Sequence, residues 1–90
     1  MGYGSVTVGS GSSILIVSAN DNRKALKIAN LSATSIVYIG PDSSITTATA
    51  LPLYEFQKTE DSWNCPGFWK GDIYGIASVS TADVRYWEII

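Results

Sequence analysis

Cys65 is the one thiol of this 90-residue chain, and the chain contains no histidine. Those two facts remove most of the chemistry a short chain could perform. Acid–base work near neutral pH usually falls to an imidazole. A serine nucleophile needs a base beside it, so the many serines carry no catalytic signal. Cys65 lacks a histidine to activate it, and Lys58 and Lys70 are weak substitutes. A four-ligand Cys/His zinc site is excluded, and so is an intramolecular disulfide. Eight carboxylates remain. Glu60 and Asp61 are adjacent, which in extended chain turns them to opposite faces, whereas glycoside hydrolysis needs two carboxyls converging on a cleft. Asp42, Glu60 and Asp61 could offer oxygens to calcium, but their spacing fits no calcium loop and they read as surface charge. Gly9-Ser10-Gly11 lacks the lysine and the following helix of a phosphate-binding loop. The chain therefore reads as a non-enzyme with no cofactor and no metal.

The residues left to interact are aromatic and aliphatic. Trp63, Phe68 and Trp69 surround Cys65-Pro66-Gly67 in one irregular segment, residues 58–70. Large aromatics are unusual in a loop, because exposing them forgoes apolar burial. Three readings stand for them: a loop folded back to cap an open end of the domain, a protein–protein anchor, or a flat platform for a sugar ring. Tyr3, Val6 and Val8 punctuate a Gly/Ser-rich start, residues 1–12, read either as an arm that docks on a neighbour or as a frayed terminus with one edge strand. Trp87 alternates with Arg85 and Ile89 in the final strand and reads as core. Arg23, Lys24 and Lys27 form a short basic cluster that reads as a solvated strand start.

The elements that must position these residues are strands. Residues 13–19, SILIVSA, form a β-branched apolar run suited to a strand buried on both faces. Asn20-Asp21-Asn22 signals a turn. Strands follow over 24–30 and 35–40, the second stopped by Gly40-Pro41-Asp42. Residues 45–50 fit a short strand or loop, Pro52 confines its neighbourhood to a sheet edge, and LYEFQ, 53–57, alternates as a strand. DIYGIASV, 72–79, and DVRYWEII, 83–90, form the last pair, joined through a Ser-Thr-Ala turn. No window carries a helical period. The expected fold is all-β: a small antiparallel β-sandwich or jelly-roll-like barrel of seven or eight short strands, with an arm at 1–12 and a single domain at 13–90.

The net charge is −2, which offers no footprint for nucleic acid. No apolar run approaches the ~20 residues of a membrane helix. Met1 to Ser13 lacks the charged and apolar regions of a signal peptide, so synthesis and assembly are expected in the cytoplasm. Folding would bury roughly 9,000 Å², worth about 130 kcal/mol at ~25 cal/mol per Å² of the apolar share. Ordering the chain costs nearly the same, at ~1.5 kcal/mol per residue. With the balance near zero and no covalent staple, the domain is expected to lean on further copies or partners.

An ordered set of short motifs then carries a resemblance. Asn20-Asp21-Asn22-Arg23, Leu26-Lys27-Ile28-Ala29-Asn30, Val37-Tyr38-Ile39-Gly40, Asp72-Ile73-Tyr74-Gly75-Ile76 and Val84-Arg85-Tyr86-Trp87-Glu88 follow one another over residues 13–90. Their order resembles small all-β proteins encoded among tailed-phage virion genes, of the capsid decoration or head fibre base type. The resemblance implies a virion structural protein that binds the head surface as a homo-oligomer, with a trimer favoured and the major capsid protein or another virion protein as partner. Localisation would be the virion, after assembly in the host cytoplasm. The alternative is a carbohydrate- or receptor-binding module of a phage tail or spike using the aromatic loop. Thr47 to Pro52 lacks the glycines expected there, and the Trp63–Trp69 loop is this chain's own.

Overall fold

The computed structural model describes residues 2–57 and 70–90. Among them are seven strands and no helix: β1 (Gly2–Gly9), β2 (Ile14–Val17), β3 (Ala25–Asn30), β4 (Val37–Gly40), β5 (Leu51–Leu53), β6 (Ile73–Ala77) and β7 (Thr81–Ile89). They form two antiparallel sheets, one in the order β1-β7-β3 and the other β2-β6-β4-β5. The small all-β sandwich expected from the spacing of apolar runs is the fold observed.

Period-two alternation decides which face each residue takes. In the three-stranded sheet, even-numbered residues point inward: Val8 opposite Ala82, Val6 opposite Val84, Ile28 opposite Tyr86 and Leu26 opposite Glu88. The four-stranded sheet contributes Ile16, Val17, Val37, Ile39, Leu53, Ile73 and Ala77 to the same core. Gly75 sits at its centre, where a Cβ would lie 2.5 Å from Ile16 Cδ1 and 3.4 Å from Val37 Cγ1, so a larger residue would have to push the Ile16 side chain aside.

Several expectations change. Of residues 1–12, read above as a docking arm or as a frayed terminus with one edge strand, residues 2–9 are an edge strand paired along its length with β7. The Val6/Val8 alternation supplies an inward stripe, and Val8 is 0% exposed. In the run 13–19, Ile16 and Val17 are buried, but Ile14 and Leu15 are exposed, because β2 is an edge strand. The strand expected at 53–57 ends at Leu53. Gln57 donates its amide to the Tyr54 carbonyl, its side chain accepts the Tyr54 amide, and Phe56 takes φ 56°, closing a turn. Of the strand or loop expected over residues 45–50, the structure has the loop, a turn held by Thr46–Thr49 contacts. Pro52 does lie on an edge, in β5. The last turn is Ser78-Val79-Ser80, so Thr81 and Ala82 already belong to β7.

Candidate interaction surface

Three expected site residues, Trp63, Phe68 and Trp69, lie outside the described residues, as do Cys65, Glu60 and Asp61. The other three separate. Val6 and Val8 face the core, whereas Tyr3 points outward and is 81% exposed. Opposite Tyr3 on the outer face stands Trp87, with Lys27 across from it on β3. Trp87, expected in the core, is 52% exposed, because odd-numbered residues of β7 point away from it. Beside this row lie Ser5, Arg85 and Ala29, with Arg85 Nη2 donating to Asp83 Oδ2 at 3.2 Å. Open depressions of about 170 Å³ and about 340 Å³ flank Arg85, one against Lys27 and Trp87, the other against Tyr3 and Gly4. Neither has the enclosing apolar walls of a small-molecule pocket, whose volume is typically ~300–1,000 Å³.

The four-stranded sheet presents a different outer face. Leu15 stands opposite Tyr74, Tyr74 opposite Gly40, and Ile76 opposite Tyr38, which in turn meets Pro52. No charged residue occupies these paired outward positions. Because its inner face is the hydrophobic core, this sheet is apolar on both faces. An antiparallel sheet with one solvated side normally shows clean apolar/polar alternation, and sheets apolar on both sides are ordinarily covered on both. Ile45, from the 41–50 connection, packs over Gly40 and covers one corner. Leu15 and Pro52 remain exposed, while Tyr38, Tyr74 and Ile76 are half-buried.

The buried polar residues form scaffolding. Arg23, expected at the surface, is 1% exposed. Its Nε donates to Glu88 Oε2 at 2.6 Å, its Nη2 to the Ser18 carbonyl at 2.7 Å and its Nη1 to the Gly71 carbonyl at 3.2 Å. A buried guanidinium is tolerated when its fork is satisfied in this way. Asn30 Nδ2 donates to the Ser35 and Leu53 carbonyls at 2.8 and 3.0 Å, and its Oδ1 accepts the Ser32 amide at 2.9 Å. Among the described residues no buried side-chain polar atom lacks a partner, and no cluster of three or more Cys, Asp or Glu could hold a metal ion. Asp42 accepts from the Ser44 hydroxyl and amide, which hold its carboxyl below the ordinary range. No helix of the described residues is long and apolar enough to cross a membrane.

No protein-family model, curated protein or solved structure matches the chain.

Proposed function

We propose that this protein is a non-catalytic structural component of a virus particle, a capsid decoration protein that binds a shell surface as an oligomer. The observation that carries this reading is the four-stranded sheet apolar on both faces, with Leu15, Tyr38, Tyr74, Ile76 and Pro52 in a charge-free outer layer. A contiguous apolar face marks a protein contact, and association adds burial to a domain whose own balance is close to zero. The buried polar groups are committed to the fold, which fits a scaffold more readily than a catalyst. The motif order quoted above supplies the viral part of the reading.

The test is the mass in solution, followed by titration of tryptophan fluorescence with a glycan panel and by co-sedimentation with phage heads lacking their decoration. An oligomer that sediments with heads and ignores every sugar is the expected result. A saturable response to one sugar overturns it in favour of a tail or spike carbohydrate-binding module, the reading that the Tyr3–Trp87 pair on the opposite sheet supports.

A further inference from the structure

Among the described residues the two open sheets have four strand edges, and each is a template for pairing with another chain unless it is blunted. Three of the four are blunted here. β5 is three residues long and carries Pro52. β2 is four residues long with a register shift between Leu15 and Val17. β3 has its outer side met by Gln57, whose carbonyl accepts the Asn30 amide. β1 has none of these devices. It runs for eight residues, Gly2–Gly9, in unbroken register with β7, and contains no proline, no charge and no bulge. Among the described residues, no hydrogen bond reaches its outer edge.

A second observation lies on the same flank. β1 rests against β2 and β6 of the other sheet. Ile14 of β2 stands opposite Gly75, so it faces the core layer, yet it is 41% exposed. A core-facing isoleucine left open beside a bare strand edge is a core that ends before it is covered.

We infer that β1 pairs antiparallel with β1 of a second copy, joining two three-stranded sheets into one of six strands about a two-fold axis. The inference deepens the oligomeric part of the proposed function, but it stands on the edge geometry alone. Laid antiparallel on a copy of itself, β1 sets two of its glycines against its two valines. Centred on Ser5, the register sets Gly2 beside the partner's Val8, Gly4 beside the partner's Val6, and Tyr3 beside the partner's Thr7. Each inward valine thus meets a position without a side chain. The space over Gly4 is already roofed by Tyr86, whose ring would lie 3.1 Å from a Cβ there. Each outward aromatic meets a β-branched residue, a favourable cross-strand pair. No like charges oppose one another, since the strand has none. An isologous contact of this kind closes on two copies, so it departs from the trimer that the motif resemblance implies.

Ser5 then faces Ser5 of the second copy, at the ~4.5–5.5 Å Cα spacing of an antiparallel pair, within the range a disulfide spans. Thr7 and its counterpart are offset by four residues, roughly 13 Å along the strands. The experiment uses the full chain. Its mass is measured under reducing conditions, and Ser5→Cys and Thr7→Cys are each placed in a Cys65→Ser background and oxidised with copper–phenanthroline. Both positions are exposed, so the fold should tolerate either change. The expected result is a mass twice that of the 9.7 kDa chain, with S5C cross-linking at least tenfold faster than T7C. A monomeric mass up to ~1 mM protein, where any association is worth less than about 4 kcal/mol, overturns the inference. So does an odd-numbered assembly, or equal cross-linking of the two variants. A monomer that still sediments with phage heads overturns the pairing and leaves the shell reading standing; a dimer that binds no heads does the reverse.

Discussion

Arg23 Nε lies 2.6 Å from Glu88 Oε2 inside the sandwich, and 65 residues separate the two in sequence. The pair ties the turn before β3 to the inner face of β7, and two further guanidinium bonds reach Ser18 and Gly71. Removing one partner strands a buried charge. Arg23→Met should destabilise by about 3–5 kcal/mol, enough to unfold a small domain. The double variant Arg23→Met/Glu88→Leu should recover most of that loss. Urea unfolding of the single and double variants checks both, and a double variant no better than the single would refute the account.

Asn30 satisfies three backbone groups from inside the core, two in the β3–β4 connection and one in β5. Asn30→Ala leaves those carbonyls and the Ser32 amide without their partner. The expected loss is about 2–4 kcal/mol, at ~1–3 kcal/mol for each buried group left unsatisfied. Thermal unfolding measures it.

β1 is part of the folded core, because Val8 and the half-buried Val6 pack in it. Val8→Ala should cost about 2–3 kcal/mol, from two lost carbons and the cavity they leave. Deleting residues 2–9 should abolish cooperative unfolding altogether. A deletion variant that keeps its melting transition and its strand circular dichroism would show that the strand is dispensable.

The outer face of the four-stranded sheet should tolerate charge as a monomer and reject it in an assembly. Leu15→Lys is expected to change monomer stability by less than about 1 kcal/mol, since the side chain is partly solvated and a lysine stem can lie along the sheet. Its binding to phage heads should fall at least tenfold. Unaltered co-sedimentation would remove this face from the contact.

Asp42 should titrate below the usual carboxylate range, because the Ser44 hydroxyl, and after it the Ser44 amide, favours the charged form. A folded-state pKa lowered in this way contributes stability that is present above the unfolded pKa and is lost as pH falls through the folded one. Carbon-detected NMR should place the Asp42 midpoint below those of other exposed carboxylates, and Ser44→Ala should move it up.

Much of the fold was legible in the chain because alternation and turn residues act locally. Val37-Tyr38-Ile39-Gly40 and Ile73 to Ala77 announce themselves by β-branched content, and Pro52 marks its edge. What could not be read depends on partners distant in sequence. Whether Arg23 is solvated or buried is decided by Glu88, and only the register of β3 on β7 brings them together. Trp87 reads as core by residue type, but its parity within β7 turns it outward. The same parity argument, applied to Val84 and Tyr86, could have found this, since Val84 and Trp87 cannot share a face. LYEFQ alternates well enough for a strand, yet the Gln57 side chain captures the Tyr54 amide and closes a turn first. The site residues divided in the same way. Tyr3, Val6 and Val8 look alike in a Gly/Ser-rich stretch, and only the pairing of β1 with β7 separates the outward tyrosine from the inward valines.

β7 is the middle strand of its sheet and the last described strand to leave the ribosome, and both β1 and β3 hydrogen-bond to it and not to each other. Half of the sandwich therefore cannot close until synthesis has reached residue 89. Until then Gly2–Gly9 has a vacant side on both flanks, and the later elements must hold the inner valines away from water without a sheet to hang them on. Such non-local pairing makes folding slow for the chain's size. Any pairing between copies through β1 must also wait for it, so the fold itself delays assembly until β7 has been made.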